Sequence, residues 1–175
     1  FYRRRFVYLD AAPNAGHYAL AELERRGHLA AIVTQNIDGL HQAAGSRTVY
    51  ELHGSIRRAH CTDCGAHHKL DYIMEHTPIP YCSCGGIVRP DVVLYEESLD
   101  PATIEGAVAA IRAADTLIIG GTSLIVYPAA GLIDYFQGEH LVLINKSETR
   151  ADSRAALIIR TPIGEALHAA LPEEK

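Results

Sequence analysis

The sequence lacks long apolar runs, long basic runs and a recognisable signal peptide. No stretch approaches the roughly 20 apolar residues that span a bilayer, so we expect no membrane partner. The net charge is −5, and the densest basic cluster, Arg3-Arg4-Arg5, is short. This balance disfavours binding along a nucleic-acid backbone, because such binding depends on neutralising many phosphates. We therefore expect no direct nucleic-acid partner.

The first residues also lack the features of a natural N-terminus. The chain has no initiating Met, and Phe1–Phe6 does not contain the apolar core of a signal peptide. The sequence opens in the middle of an amphipathic pattern, so we expect a truncated piece of a longer protein. We expect a cytoplasmic location, a prediction that depends on the sequence upstream of residue 1.

Apolar runs alternate with helical patterns outside the cysteine-containing stretch. Helices are predicted at 15–26, 101–111, 128–138 and 164–171, and strands at 29–36, 49–54, 115–123 and 141–146. Strands that are continuous apolar runs are typical of a parallel sheet covered by helices on both faces. We therefore predict an α/β, doubly wound fold with a small metal-binding module inserted at 57–89. The segments at 1–56 and 90–175 would form the main α/β part.

The four cysteines cluster as Cys61-x-x-Cys64 and Cys82-x-Cys84. Two disulfides would explain such a cluster in a small secreted protein, but a chain with this much apolar sequence and no secretion signal favours a metal. Four thiolates can hold one structural Zn²⁺ in a closed tetrahedral site. Free buried thiols or disulfides are the alternatives. Histidines near the cluster could replace a thiol that does not reach the ion: His60, His67 and His68.

Two further polar segments follow predicted buried strands. Gly120 and Gly121 precede Thr122 and Ser123, and Asn145 and Lys146 follow the next strand. Ligands of open α/β sheets bind beyond the carboxyl ends of the strands, where glycines admit a phosphate close to the backbone. Each segment taken alone is equally compatible with an ordinary turn.

A cluster of polar residues also follows Val33, in the stretch "TQNIDGLH". Gln35, Asn36 and Asp38 lie there, and His53 comes shortly before Gly54 in "ELHGS". A histidine is a candidate general base near pH 7. Asn and Asp on a short loop usually reflect turn chemistry, but together these side chains could assemble one polar site.

The motifs taken together resemble the sirtuins, the NAD-dependent protein deacylases, and their bacterial members in particular. The chain contains, in the order that this family uses them, "TQNIDGLH", "ELHGS", C-x-x-C with C-x-C, "GGIVRPDVVLYEE", "GGTSL", "PAA" and "LINKSET". The resemblance implies a Rossmann-like domain with a smaller zinc-bearing module. It also implies that NAD⁺ and an acylated lysine of a protein or peptide enter a cleft between the two parts.

The resemblance implies a role for each motif. His53 would be the general base, with Asn36 and Asp38 also catalytic, and the acyl group would pass to ADP-ribose while nicotinamide leaves. The substrate peptide would add as a strand between Val92–Glu96 and Gly121–Val126. The implied cofactor-binding residues are Gln35, Asn36, Ile37, Asp38, Gly121, Thr122, Ser123, Asn145, Lys146 and Ser147. The implied substrate-binding residues are Val92, Val93, Leu94, Tyr95, Tyr2 and Arg5, and the implied zinc ligands are Cys61, Cys64, Cys82 and Cys84.

The sequence departs from the family pattern in ways that bear on function. It contains neither the G-A-G-x-S loop nor the P-x-F-R segment, so we expect this chain to bind NAD⁺ poorly. Tyr95 and Glu96 replace an aromatic-glycine pair. Tyr2 and Arg5 have the spacing by which some sirtuins hold succinyl-lysine, because an arginine can grip a carboxylate through two hydrogen bonds. Desuccinylation, mono-ADP-ribosyl transfer and a non-catalytic zinc-ribbon interaction module are the alternative functions.

Overall fold

The computed structural model describes residues 9–171, which form two compact units. Unit 1 comprises 9–12, Thr34–Gly39 and Glu51–Leu99, and unit 2 comprises Pro13–Val33, Leu40–Tyr50 and 100–171. The domain bounds at 56 and 89 stay a prediction. In the described part of the chain, no helix has the length and apolar character needed to cross a bilayer.

The elements are short and follow one another closely. The helices are α1 (Ala15–Arg25), α2 (Leu40–Ala43), α3 (Leu70–Glu75), α4 (Pro101–Ala113) and α5 (Ile163–Ala169). The strands are β1 (Ile32–Thr34), β2 (Val49–Glu51), β3 (Gly54–Cys61), β4 (His67–Lys69), β5 (Val88–Val92), β6 (Thr116–Gly120), β7 (His140–Ile144) and β8 (Leu157–Ile159). Two 3₁₀ helices, Ala129–Tyr135 and Asp152–Arg154, complete the set.

Unit 2 contains a parallel sheet in the order β6-β7-β8. Its apolar strands pack with the first 3₁₀ helix around Leu143, which is fully buried. The members of this cluster are Ile119, Leu124, Ala130, Ile133, Leu141, Leu143 and Ala151. The predicted α/β class is therefore confirmed, since apolar parallel strands alternate with helices along this unit.

Helix α1 begins where its sequence predicts, at Ala15, and ends one residue earlier than predicted, at Arg25. The Asn14 side chain accepts hydrogen bonds from the backbone N–H groups of Gly16 and His17, which satisfies donors that a helix start leaves free. Gly27 follows the C-terminal capping residue Arg26 and has φ of 77°, a left-handed conformation that glycine adopts without steric cost.

Unit 1 contains an antiparallel sheet in the order β4-β3-β5. Helix α3 packs on it through Leu70 and Ile73. The buried cluster of this unit consists of Ile56, Ala59, Cys61, Leu70, Ile73, Cys82, Val88 and Val92. Two of the predicted metal ligands are therefore part of the core of unit 1.

Several predicted elements differ from the observed ones. The strands predicted at 49–54 and 115–123 are shorter, Val49–Glu51 and Thr116–Gly120. The helix predicted at 128–138 is a seven-residue 3₁₀ helix, Ala129–Tyr135, which contains the poor helix former Gly131. The strand predicted at 29–36 is only Ile32–Thr34. It ends early because the Thr34 hydroxyl accepts the N–H of Asn36 at 3.0 Å and turns the chain.

Candidate functional site

The four cysteine sulfurs of unit 1 form one compact group, in which all lie within 4.8 Å of one another. The Sγ atoms of Cys61 and Cys84 are 3.4 Å apart, and those of Cys64 and Cys82 are 3.8 Å apart. Sulfurs placed about 2.3 Å from one tetrahedral Zn²⁺ lie about 3.8 Å from each other. The geometry therefore fits the predicted structural zinc, and the alternative of disulfides is wrong because all four thiols are free.

The electrostatics of the thiols also fit a bound cation. The backbone N–H of Cys84 and then the His68 side chain lower the pKa of Cys82 to about 6. The N–H of Gly86 also lowers the pKa of Cys84. The contacts of the Cys84 thiol with the Cys64 and Cys61 sulfurs outweigh this effect and raise its pKa to about 12. Four crowded thiolates repel one another, so their joint ionisation requires a positive charge, which Zn²⁺ supplies. Within 9–171, no histidine joins this group.

The polar loop after β1 lies beside His53 in unit 1. The His53 Nδ1 is 3.1 Å from the carbonyl oxygen of Gln35. A backbone hydrogen bond also joins the loop to β3: the N–H of Ile56 donates to the carbonyl of Ile37 at 2.9 Å. Arg57 Nε donates to the carbonyl of Asp38 at 3.0 Å. The structure thus brings the predicted base and the predicted nicotinamide-contacting loop together.

The strand predicted to receive the peptide adjoins the same histidine. The N–H of Val93 donates to the carbonyl of His53 at 3.0 Å. Gly54 permits this approach, because it has φ of 75° and a Cβ there would lie 1.8 Å from the carbonyl oxygen of Asp91. Val92 is buried, whereas Tyr95 is 96% exposed. An exposed segment that follows a buried strand is suited to contact a ligand.

The segment after β6 forms a tight glycine turn in unit 2. The N–H of Gly121 donates to the carbonyl of Ile144 at 3.2 Å, and its φ of 61° favours glycine. The Thr122 hydroxyl accepts the N–H of Leu124 at 3.2 Å, and Ser123 is exposed. Gly120 and Ile144 are register partners in the parallel pair β6–β7, so the segments that follow them begin at one edge of the sheet.

The segment after β7 is organised by its own side chains. Asn145 donates from Nδ2 to the carbonyl of Ser147 at 2.9 Å, so it makes the turn contact that its sequence also predicts. Its N–H donates to the carbonyl of Ile159 at 3.0 Å, which ties the segment to β8. Lys146 and Ser147 are exposed. The predicted adenosine-contacting residues therefore form one ordered turn.

Sequence reasoning missed an ion pair next to the segment predicted to contact the peptide. Arg89 donates to both carboxylate oxygens of Glu97, at 2.7 and 2.9 Å, and to the carbonyl of Val92 at 3.0 Å. Glu97 also accepts the N–H of Leu94 at 2.9 Å. The Arg89 guanidinium and then this N–H lower the pKa of Glu97 to about 2. The only sequence signal was two opposite charges eight positions apart.

The structure places the predicted site residues in two groups. One group, around His53, lies in unit 1 with the predicted zinc ligands, and the other lies at the ends of β6 and β7 in unit 2. Tyr2 and Arg5, predicted to hold an acidic acyl group, lie outside the described residues. The role of each site residue stays a prediction.

Comparisons with known proteins agree with the sequence motifs. A model of the Sir2 family matches residues 1–128. An NAD-dependent protein deacetylase of Clostridium acetobutylicum is 61% identical over 169 residues, which cover 95% of this chain and 69% of that protein.

Solved structures give the same result for the fold. A structure described as Sir2 with a p53 peptide and NAD⁺ has a TM-score of 0.90 at 36% identity, and the match covers 97% of this chain and 75% of that one. A structure of Sir2 bound to an acetylated peptide gives the same four values. The likeness confirms the predicted Rossmann-like fold.

Proposed function

Because this chain belongs to the Sir2 family, we propose that it acts as an NAD-dependent protein-lysine deacylase. Its substrates are acylated lysines of proteins or peptides, and its co-substrate is NAD⁺, as the names of its relative and of the solved complexes suggest. The observation that carries the proposal in this chain is the contact between His53 and the polar loop.

That contact determines which nitrogen of His53 is available as a base. A carbonyl oxygen can only accept a hydrogen bond, so the Nδ1 of His53 carries the proton that it donates to Gln35. The Nε2 is then left with a lone pair in the neutral ring. A neutral imidazole held by a backbone carbonyl is a well-oriented general base near pH 7.

In the proposed reaction the Nε2 lone pair of His53 accepts one proton. The acyl oxygen of the substrate attacks C1′ of the nicotinamide ribose. The bond between C1′ and the nicotinamide nitrogen breaks, and its electron pair leaves with nicotinamide. His53 takes the proton of a ribose hydroxyl, whose oxygen then attacks the acyl carbon. Addition of water and cleavage of the carbon–nitrogen bond release the lysine amine and O-acyl-ADP-ribose.

The other predicted residues bind and orient the reactants, and Asn36 and Asp38 keep their predicted catalytic role beside His53. We assign Gln35, Asn36, Ile37 and Asp38 to the nicotinamide ribose, and Val92–Tyr95 to the peptide backbone. Gly121–Ser123 and Asn145–Ser147 are assigned to the diphosphate and the adenosine ribose. The zinc ion would hold the corners of unit 1 together and take no part in the chemistry, because four sulfur ligands leave no open position.

The experiment compares the native protein with its His53→Ala variant. Each is incubated with NAD⁺ and either an acetyl-lysine or a succinyl-lysine peptide, and nicotinamide, O-acyl-ADP-ribose and free-lysine peptide are quantified by mass spectrometry. We expect O-acyl-ADP-ribose formation to fall by about 10²–10⁴-fold in the variant, as for loss of a general base.

The matched control is His140→Ala, which removes an exposed histidine at the start of β7. We expect it to keep the native rate. An unchanged rate in His53→Ala would remove this residue from the mechanism. If the protein forms no O-acyl-ADP-ribose even when the G-A-G-x-S segment is supplied, the proposed activity is refuted. The preferred peptide decides between acetyl and succinyl substrates. The predicted cytoplasmic location is tested separately by cell fractionation.

A further inference from the structure

Arg160, which belongs to none of the sequence motifs, contacts the Asn145–Ser147 turn that follows β7. The Nη1 of Arg160 donates to the carbonyl of Asn145 at 3.0 Å and to that of Ser147 at 2.9 Å. Its Nη2 donates to the carboxylate of Asp152. A single guanidinium thus contacts both ends of the Asn145–Ser147 turn and an acidic side chain further along the chain.

Asp152 extends the same network toward the middle of the segment. Its Oδ1 accepts the N–H of Thr149 at 2.8 Å and the Thr149 hydroxyl at 3.0 Å. The Thr149 N–H and then the Arg160 guanidinium lower the pKa of Asp152, so the carboxylate stays charged near neutral pH. The turn and the start of the following 3₁₀ helix are therefore joined through two side chains.

The backbone of Arg160 is held in place by the parallel sheet. It directly follows β8, and Ile159 is the register partner of Ile144 in the parallel pair β7–β8. The N–H of Asn145 also donates to the carbonyl of Ile159. The turn is consequently held on one side by the sheet backbone and on the other by the guanidinium.

The chemistry of the contact requires an arginine. A guanidinium presents five donors in a fixed planar fork, whereas a lysine ammonium has three donors on one rotating centre. Arg160 uses this fork to reach two carbonyls from one nitrogen and a carboxylate from the other. Lysine would keep the charge but not this set of simultaneous bonds.

We propose that Arg160 is a positioning residue for cofactor binding, which acts by fixing the Asn145–Ser147 turn for the adenosine ribose of NAD⁺. This inference rests on the function proposed above and adds a residue to it. Arg160 touches neither reacting atoms nor the peptide in this scheme. Its loss should therefore weaken binding of the adenosine part of the cofactor without slowing the chemical step.

The test uses Arg160→Lys in the native protein and two readouts. The first is the Kd of ADP-ribose, measured by isothermal titration calorimetry without any turnover. The second is the steady-state KM for NAD⁺, the KM for the acyl peptide and kcat. We expect the Kd and the KM for NAD⁺ to rise by about 10- to 100-fold, which corresponds to loss of one or two charge-assisted hydrogen bonds. The peptide KM and kcat should stay within about twofold.

Arg154→Lys is the matched control. Arg154 lies in the same unit with a similar side-chain exposure, 42% against 37%, but it pairs with Asp134 at 2.7 Å. It should leave the Kd of ADP-ribose unchanged. Asp152→Asn keeps the shape of the network and removes its charge, so it should change the Kd in the same direction as Arg160→Lys but by less.

Three outcomes would overturn the inference. The first is an unchanged Kd for ADP-ribose in folded Arg160→Lys. The second is an equal effect in Arg154→Lys. The third is a parallel loss of kcat, peptide KM and melting temperature in both Arg160→Lys and Asp152→Asn, which indicates a general structural role. In the first two cases the native protein would still form O-acyl-ADP-ribose, so the proposed function would stand.

Discussion

The buried core of unit 1 includes two cysteine side chains, Cys61 and Cys82, whereas the described clusters of unit 2 consist of aliphatic side chains alone. In unit 1 the other two predicted ligands, Cys64 and Cys84, are exposed at the surface. A bound metal there would link buried and exposed parts of the same small fold. Unit 2 has no such link among its described residues and depends on apolar packing between parallel strands.

The difference follows from how much apolar surface each part can bury. The cysteine-bearing part of unit 1 has one three-residue strand and one six-residue helix beside β3 and β5. Small folds of this kind bury too little surface to offset the entropy of ordering their chain, and a structural metal supplies the missing stability. Unit 2 has longer helices, α1 and α4, and its strands β6 and β7 consist mostly of apolar residues, so its stability should not depend on zinc.

Removal of zinc should have the largest effect and tests most directly whether only unit 1 depends on the metal. Structural zinc contributes about 10–16 kcal/mol in zinc-finger peptides at pH 7, so a chelator or Cys64→Ser should unfold the part of unit 1 around β3 and α3. Hydrogen exchange measured by mass spectrometry should show loss of protection there. The strands β6 and β7 of unit 2 should stay protected.

His67→Ala is the control for that experiment. His67 is an exposed histidine of the same module and is not in the cysteine group. Elemental analysis should find one zinc per chain in this variant, as in the native protein. A zinc-free native protein with full protection in β3 would show that unit 1 does not need the metal.

A change in the apolar core of unit 2 should have an intermediate effect. Leu143 is fully buried in β7, so Leu143→Ala should lower the free energy of unfolding by roughly 2–5 kcal/mol through lost contacts and a cavity. Urea denaturation measures this change, and the zinc content should stay the same. Leu157→Ala is the control, because Leu157 lies in the same sheet with 51% exposure and should cost about 0.5 kcal/mol or less. Equal losses in the two variants would contradict this account.

The smallest expected effect concerns backbone strain in unit 1. Glu96 has φ of 71°, a left-handed conformation that costs a residue with a Cβ roughly 1–2 kcal/mol. Glu96→Gly should therefore be more stable than Glu96→Ala by about 1 kcal/mol in thermal unfolding. The alanine variant is the matched control, because both changes remove the charge and only glycine removes the Cβ. Equal stability of the two variants would show that the conformation carries no strain.

The local patterns were readable from the sequence because they depend on neighbouring residues. The capping by Asn14 and Gly27 and the apolar periodicity gave the position of α1. The cysteine spacing correctly predicted a four-sulfur group. The 3₁₀ helix at Ala129–Tyr135 was not predicted, since its sequence has the same apolar spacing as an α-helix and differs mainly in backbone geometry.

The sequence by itself therefore determined the family, the α/β class and the four-cysteine group that fits a zinc ion, because each depends on residues close together in the chain or on motifs in a fixed order. Only the tertiary structure decided that the carbonyl of Gln35 meets His53 and that Arg160 meets Asn145, Ser147 and Asp152. These contacts form where separate strands end side by side. The directions of their donors and acceptors depend on how the backbone turns there, and the side-chain pattern does not record that turn.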